Sequence, residues 1–258
     1  MRLIPWAELG RPDGAVRAPV RLTIGVFDGV HLGHRGLIQR ILAGDAGRVP
    51  LVVTFKQNPQ LILAPDAFPG SITTYAQKLE RLETLGVQAV VPIDFSNELS
   101  KLSGKAFLGA LRENLTIEKI VVGYNFRYGK GRSAGTDDLR GTFAGTGTDV
   151  EVAEPVLWGD SAVSSSRIRK TVLEAEFGAA REMLAAPFSV DLRGVPLERL
   201  GDGCFRVERR ILGQVLPPAG TYRVSCEGQG GTGSLTVAAD HLVLEGLLGW
   251  DTRPIGFD

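Results

Sequence analysis

A strand that runs directly into a tight turn and a histidine-containing helix is the feature of this chain that most limits its possible folds. Residues 23–34 read Thr-Ile-Gly-Val-Phe-Asp-Gly-Val-His-Leu-Gly-His. The first turn of a helix has unpaired backbone N–H groups and the positive end of the helix dipole, so an anion is its natural ligand. His31 and His34 are three residues apart and point from the first turn toward one spot. Gly33 leaves room for a nucleotide, and we predict a triphosphate site.

The alternative is a pair of polar histidines at an exposed helix start that binds no ligand. The preceding apolar strand favours the phosphate site, because parallel sheets bind ligands beyond the carboxyl ends of their strands. We expect the turn to lie at the surface, so that alanine at either histidine leaves the fold intact.

Composition argues against several classes of function. Lys+Arg and Asp+Glu number 29 each, so no net positive field draws in nucleic acid or an anionic membrane. No apolar run approaches the ~20 residues that span a bilayer, and the chain start is too soon interrupted for a signal peptide, so we expect a cytoplasmic protein. Cys204 and Cys226 have no CxxC spacing; buried thiols are favoured, and a single disulfide between them stays open.

Residues 20–153 alternate short β-branched runs with helical patterns, which is typical of right-handed βαβ units and a parallel sheet covered on both faces. We predict strands at residues 21–27, 51–55, 87–93, 119–122 and 149–153. Helices are predicted at residues 32–42, 75–85 and 105–114. The turn at residues 27–31 then lies at the ligand-binding edge of the sheet.

A second helix start follows at residues 163–170, which read Val-Ser-Ser-Ser-Arg-Ile-Arg-Lys, with helical patterns at residues 171–177 and 179–184. One serine is enough to cap a helix, so the remaining hydroxyls and guanidinium groups can form a second phosphate-binding element. The alternative is an ordinary helix start with solvated arginines. The presence of the histidine motif in the same chain favours the phosphate-binding interpretation.

The pattern changes beyond residue 187 to short alternating runs between Gly and Pro clusters, which predicts a small antiparallel β module. Its strands are predicted at residues 188–193, 210–215, 221–226, 234–237 and 241–244. The glycine-rich run at residues 228–233 is interpreted as a hairpin loop, because it lacks the GxxxxGK[ST] order of a P-loop. We therefore divide the chain into domains at residues 1–186 and 187–258.

Three motifs in one order carry a resemblance to a known family. They are the histidine turn, the Ser-Ser-Ser-Arg-Ile-Arg run, and Val-Val-Gly-Tyr-Asn-Phe-Arg-Tyr-Gly at residues 121–129. With them, residues 20–186 resemble the prokaryotic FAD synthetases. The resemblance implies a Rossmann-like nucleotidyltransferase domain, with ATP and FMN as substrates and FAD and pyrophosphate as products, and no covalent enzyme intermediate. Mg²⁺ is expected as the cofactor that enters with ATP.

The resemblance also implies roles for individual residues. The catalytic residues are His31, His34 and Arg167. The ATP-binding residues are Gly25, Phe27, Asp28, Gly33, Ser165, Ser166 and Arg169. The flavin-binding residues are Phe55, Asn58, Asn125, Phe126, Arg127 and Tyr128. No protein ligand is assigned to the metal, which is carried by the ATP phosphates.

The flavin side has alternatives and departures. Phe126 and Tyr128 are interpreted as packing on the isoalloxazine ring and Arg127 as meeting phosphate, against the alternative of core aromatics beside a solvated basic loop. Asn125 stands where the family often has an acid, which loses a charge. Lys56 and Gln57 replace the Asp-Pro that usually follows Thr-Phe in the family.

The larger departure lies after residue 187, where the family's riboflavin kinase barrel carries a Gly-Phe-Pro-Thr-Ala-Asn motif that this chain lacks. We therefore expect a degenerate, kinase-like β module without kinase activity, and a separate riboflavin kinase that supplies FMN. Two rival functions stay open. One is adenylyl transfer to another phosphate acceptor, such as pantetheine phosphate or nicotinate mononucleotide, and the other is binding of flavin or nucleotide without catalysis.

Overall fold

The computed structural model describes residues 1–11, 16–44, 46–94, 102–226, 231–247 and 254–257. The chain divides into two compact units. The first unit comprises Met1–Leu63 and Leu79–Ala162, and the second comprises Ala64–Lys78 and Val163–Asp258. The functional boundary between residues 186 and 187 stays a prediction.

Six parallel strands form the sheet of the first unit. They are β1 (Arg2–Leu3), β2 (Val20–Ile24), β3 (Val49–Phe55), β4 (Ala89–Ile93), β5 (Ile117–Gly123) and β6 (Asp149–Ala153). Their order across the sheet is β1-β4-β3-β2-β5-β6. The chain therefore runs outward from β2 through β3 to β4, then returns to the other side of β2 with β5 and continues to β6. Strand order reverses between β2 and β5, and such a reversal opens a ligand crevice at the carboxyl ends of the two strands.

Helices connect these strands. They are α1 (Leu32–Leu42), α2 (Gln60–Leu63), α3 (Tyr75–Thr84), α4 (Gly104–Asn114) and α5 (Thr136–Phe143). A short antiparallel hairpin of β7 (Leu157–Trp158) and β8 (Ser161–Ala162) ends the first unit. The division between the two units falls within α3.

The sheet of the first unit is buried on both faces, as expected for parallel strands with helical crossovers. Leu22 and Ile24 of β2 belong to a core cluster with Leu108 and Leu111 of α4. On the opposite face a second cluster includes Val52, Val90, Val121, Ile38 and Ile41. Alternate residues of each strand therefore belong to opposite cores.

In the second unit two helices precede an antiparallel sheet. The helices are α6 (Ser165–Leu173) and α7 (Phe177–Leu184). The strands are β9 (Ser189–Val190), β10 (Glu198–Gly201), β11 (Cys204–Glu208), β12 (Gly220–Cys226), β13 (Thr232–Val237), β14 (His241–Glu245) and β15 (Ile255–Phe257), in the order β10-β11-β14-β13-β12-β15-β9. The predicted fold class, a parallel α/β domain with a small kinase-like β module, is confirmed.

Several element predictions were wrong in detail. Residues 210–215 form no strand: Arg209–Ile211 is a 3-10 turn, and Gln214 makes a single bridge with Ser71. The hairpin of β10 and β11 was missed although its Asp202-Gly203 turn is a strong hairpin signal. Strand β10 is fully exposed, whereas β11 is partly buried. The strand predicted at residues 21–27 is β2, which ends at Ile24. The positive φ of Phe27 is incompatible with an extended strand at that residue.

The hairpin around the glycine run and the state of the two cysteines agree better with the predictions for the second unit. Strands β12 and β13 pair as the hairpin expected around the glycine run, of which residues 228–230 lie outside the described residues. Neither Cys204 nor Cys226 is joined in a disulfide; Cys226 is buried and Cys204 is partly exposed.

Among the described residues, no helix combines the length and the apolar character that a membrane crossing requires.

Candidate active site

The turn between β2 and α1 has an unusual backbone. Phe27, Gly29 and Val30 have φ angles of 53°, 84° and 45°. The left-handed region suits glycine, but a branched residue such as valine is rarely found there, and each strained non-glycine residue costs about 1–3 kcal/mol. The side chains of Phe27 and Val30 are fully buried in the core beside Ile38, which retains the strained backbone.

The two histidines form one unit at the start of α1. His31 is the N-cap residue, and its Nδ1 accepts a hydrogen bond from the backbone N–H of His34 at 3.4 Å. Because Nδ1 is the acceptor, the proton of a neutral His31 ring lies on Nε2, which is then the atom that can donate to a phosphate. The turn is less accessible than expected for a surface turn: only 5% of His31 is exposed.

Three side chains bind carbonyl groups of the turn. Thr54 Oγ1 donates to the carbonyl of Val26 at 3.0 Å. Arg35 Nε donates to the carbonyl of Val30 at 3.3 Å, and Arg81 Nη1 donates to the carbonyl of Gly29 at 2.9 Å. No sequence motif points to Arg35 or Arg81, and no local signal identifies Arg81, which lies 52 residues from Gly29.

A buried pair joins the turns that follow β2 and β3. Asn58 Nδ2 donates to Asp28 Oδ2 at 3.3 Å, and both side chains are buried. The backbone N–H of Gly25 donates to the carbonyl of Val53 at 3.1 Å, and a side chain at position 25 would lie 3.1 Å from the Phe27 ring. The residues predicted to bind ATP and flavin in these two turns therefore form one connected structure. Gly33 is the second residue of α1.

The predicted flavin residues in the segment after β5 differ in how far they are buried. Phe126 and Tyr128 stack with ring centroids 5.3 Å apart. Tyr128 is buried in the core, 6.4 Å from the Phe107 ring, and burial raises the pKa of its hydroxyl, with a smaller contribution from Asp138 in the same direction. Asn125 and Arg127 are exposed.

A cavity of about 370 Å³ opens beside this segment. It is lined by Tyr124, Asn125, Phe126, Arg127, Arg132, Gly135, Thr136, Asp137 and Asp138. A Cβ atom at Gly135 would lie 2.9 Å from Arg127 Nη1, so a larger residue there would displace the end of the Arg127 side chain. The lining includes three of the six predicted flavin residues; Tyr128, Phe55 and Asn58 are not in it.

In the second unit, the serine motif begins α6 as expected. Ser164 is the N-cap residue, and its Oγ accepts from the backbone N–H of Arg167 at 3.3 Å. Ser165 and Ser166 are the first two residues of the helix, and Arg167 is partly exposed.

Arg169, the second arginine of that motif, is buried. Its Nε donates to the carbonyl of Gly70 at 2.8 Å, and its guanidinium carbon lies 4.9 Å from the centre of the Phe68 ring. Arg169 thus fastens the segment Ala64–Lys78 to α6. A phosphate-binding role for Arg169 stays a prediction.

A buried polar network within the second unit was not anticipated. Gln214 Nε2 lies within hydrogen-bond distance of the carbonyls of Ile72 and Ser189 and of Gln77 Oε1, at 3.0–3.2 Å, and Gln214 Oε1 accepts from the backbone N–H of Asp191 at 2.8 Å. The alternating pattern predicts only a strand at residues 210–215 and gives no sign of this role for Gln214. Its side chain adds to the backbone bridge with Ser71 and bonds segments that are distant in the sequence.

Asp191 extends the network to Arg193 and Thr74. It accepts two bonds from the Arg193 guanidinium at 2.8 Å and one from Thr74 Oγ1 at 2.7 Å. Burial alone would raise the pKa of Asp191, but the bonds from Arg193 and Thr74 outweigh it and lower the pKa below 3.8.

Within the part of the chain that the structure describes, no group of three or more His, Cys, Asp or Glu side chains could hold a metal ion.

Comparison with known proteins identifies related sequences. The model of the FAD synthetase family matches residues 15–167. A bifunctional riboflavin kinase/FMN adenylyltransferase of Escherichia coli K12 is 30% identical over 214 residues, covering 81% of this chain and 68% of its own length. A protein with the same description from Pseudomonas fluorescens is 31% identical over 218 residues, with the same two coverages.

A solved structure from Streptococcus pneumoniae, described as a macrolide-efflux protein, covers 100% of this chain and 90% of its own. Its TM-score is 0.79 at 22% identity. This likeness shows a shared fold and nothing about activity.

Proposed function

Because the chain belongs to the FAD synthetase family and is a nucleotidyltransferase, we propose that it transfers AMP from MgATP to FMN, with FAD and pyrophosphate as products. One observation carries the proposal. The histidine turn follows β2 and the Asn-Phe-Arg-Tyr segment follows β5, so both motifs lie beside the reversal of strand order. A crevice at that position is where sheets of this type bind nucleotides.

In this reaction a phosphate oxygen of FMN attacks the α-phosphorus of ATP. The new P–O bond forms as the bond between the α-phosphorus and the bridging oxygen of pyrophosphate breaks, and pyrophosphate leaves with that electron pair. The protein's contribution is to hold two anions in line and to stabilise the charge that develops. His31, through Nε2, and His34 donate to the ATP phosphates in our assignment.

The other ATP residues are assigned to complementary tasks. Gly25, Phe27, Asp28 and Gly33 shape the turn and the helix start that face the triphosphate. Ser165, Ser166, Arg167 and Arg169 are assigned to the β- and γ-phosphates, where leaving-group charge accumulates. The assignment of the second group rests on the family motif, and Ser165 and Ser166 lie in the first turn of α6, whose N-cap is Ser164.

We assign the flavin to the cavity beside β5. Phe126 supplies a ring for stacking, and Arg127 and Asn125 supply polar groups at the cavity wall. Tyr128 supports Phe126 from the core side, and Phe55 and Asn58 contribute from the end of β3. Mg²⁺ enters bound to the ATP phosphates, so we assign no protein side chain as its ligand.

We further propose that the chain has no riboflavin kinase activity, although its relatives are bifunctional. Residues 187–258 contain no Gly-Phe-Pro-Thr-Ala-Asn run and no asparagine at all. FMN would then come from a separate kinase, and the reaction would take place in the cytoplasm with small-molecule partners only, without nucleic acid or membrane.

The test is incubation of the purified protein with MgATP and either FMN or riboflavin, followed by chromatography of the flavins. We expect FAD from FMN and no product from riboflavin. FMN or FAD formed from riboflavin would overturn the absence of a kinase. Stoichiometric binding of FMN and ATP without release of pyrophosphate would show a binding protein, and turnover of another phosphate acceptor would show a different adenylyltransferase.

A further inference from the structure

We infer that Arg81 is a positioning residue for adenylyl transfer: its guanidinium fixes the peptide between Gly29 and Val30, and with it the start of the helix that carries the two histidines. The inference rests on the proposed function. It deepens that function by naming a residue outside every recognised motif of the chain.

The need for such a residue follows from the backbone of the turn. Phe27 and Val30 both have positive φ, and the chain relaxes from such a conformation unless surrounding contacts maintain it. His31 directly follows Val30 and caps α1. Any relaxation at Val30 therefore displaces the histidine that donates to phosphate.

Arg81 bonds the peptide group between Gly29 and Val30, which would have to rotate for the turn to relax. The carbonyl of that peptide, on Gly29, accepts from Arg81 Nη1 at 2.9 Å. Its N–H, on Val30, donates to the carbonyl of Phe27 at 3.2 Å. Both polar groups of the peptide are thus bonded, and rotation of the peptide plane breaks both bonds.

The contribution of Arg81 differs from that of Arg35. Arg35 belongs to α1 itself and binds the carbonyl of Val30 five residues before it, so it moves with the helix. Arg81 belongs to the part of α3 that lies in the first unit, and its bond connects the turn to an element other than α1. Arg81 is therefore able to set the position of the turn relative to the rest of the sheet.

The experiment compares Arg81→Ala, Arg81→Lys and Arg40→Ala in the FAD assay. We expect Arg81→Ala to lower kcat by about tenfold or more, with the KM for FMN within about threefold of wild type. Arg81→Lys should recover part of the loss. Added guanidinium ion should restore activity to Arg81→Ala. A residue that only stabilised the fold would lower the melting temperature without a response to guanidinium.

Arg40→Ala is the matched control. Arg40 is also a partly exposed arginine that bonds a carbonyl, that of Gly36, and its ion pair is with Glu151 at 2.7 Å. We expect wild-type kcat and no guanidinium response from this variant. Wild-type kcat in Arg81→Ala would overturn the inference while leaving the proposed function intact.

Two further outcomes are informative. If the wild-type chain forms no FAD, the proposed function fails, and calorimetric titration with MgATP tests Arg81 alone. In that titration we expect ATP affinity to fall by about threefold or more in Arg81→Ala; unchanged affinity overturns the inference. If Arg81→Ala does not fold, Arg81→Gln takes its place, because it keeps an N–H donor without the charge.

Discussion

The imidazole rings of His31 and His34 are stacked, with their centroids 3.6 Å apart and their planes 19° from parallel. The His34 ring also lies 4.9 Å from the ring of Phe27, whose side chain is fully buried. The two histidines are therefore supported from the core and do not rotate independently. A site built in this way presents its donors in a fixed arrangement, which is what electrostatic stabilisation of a transition state requires.

The histidines provide the first prediction. We expect His31→Ala and His34→Ala to lower kcat by about 10²–10³-fold, as for the loss of a preorganised donor. His31→Ala also removes an N-cap acceptor and should cost about 0.5–2 kcal/mol of stability. His31→Asn separates the two effects, since asparagine caps a helix without an imidazole: it should fold like wild type and stay inactive. Wild-type turnover in any of the three would contradict the assigned role.

The aromatic pair beside β5 provides the second prediction. Phe126→Ala should raise the KM for FMN by about tenfold, because Phe126 lines the cavity, and should destabilise the fold less than the loss of a fully buried ring. Tyr128→Ala should instead lower the free energy of unfolding by about 3–5 kcal/mol, because Tyr128 belongs to the core. Steady-state kinetics and urea unfolding of both variants separate these outcomes. A large KM effect in Tyr128→Ala without destabilisation would place Tyr128 at the flavin.

The buried pair of Asn58 and Asp28 provides the third prediction. Asn58→Ala removes a donor to a buried carboxylate and should destabilise the protein by about 1–3 kcal/mol. Asn58→Asp should be worse, because it places a second carboxylate beside Asp28. Thermal unfolding measures both variants. Wild-type melting temperatures in both variants would show that Asp28 does not depend on this contact.

The fourth prediction concerns acid stability. The pKa of Asp191 is lowered on folding, so the native state stabilises its ionised form. Its contribution to the free energy of unfolding is complete above the pKa of the unfolded chain, near 3.8. This stabilisation is lost as the pH falls through the lower pKa of the folded state. We expect Asp191→Asn to cost about 1.5–3 kcal/mol at neutral pH, and less and less below about pH 4. Urea unfolding of both proteins across this range measures the difference, and a constant difference would refute the linkage.

The fifth prediction concerns the β module. Phe177 of α7 stacks on Phe257 of β15 at 4.5 Å and meets the edge of Tyr222 at 5.5 Å. A chain that ends at residue 187 would expose Phe177 and leave Gln77 without Gln214. We therefore expect this truncated chain to unfold at lower temperature and to lose adenylyl transfer. Phe257→Leu, which keeps apolar contact with Phe177, should retain both. A truncated chain with wild-type stability and turnover would confirm an independent domain at residues 1–186.

Much of the first unit was predictable because its signals are local. Helix α1 and strand β6 have the predicted bounds, and the other strands of the alternating pattern differ at their ends by a few residues. The second unit was less predictable. Residues 210–215 alternate like a strand, but Gln214 directs its side chain to the buried carbonyls of Ile72 and Ser189, and this pairing is invisible to periodicity.

The sequence by itself determined the parallel α/β architecture and the position of the histidine turn after β2, because both follow from residue spacing and turn chemistry over a few dozen positions. Its three motifs carried the resemblance to the family. Only the tertiary structure decided that His31 is buried, that Tyr128 belongs to the core, that Arg169 holds Gly70 and that Arg81 holds Gly29. These contacts join residues that the chain separates by tens of positions. Their partners are selected by the packing of whole helices and strands, a non-local outcome that no short stretch of sequence contains.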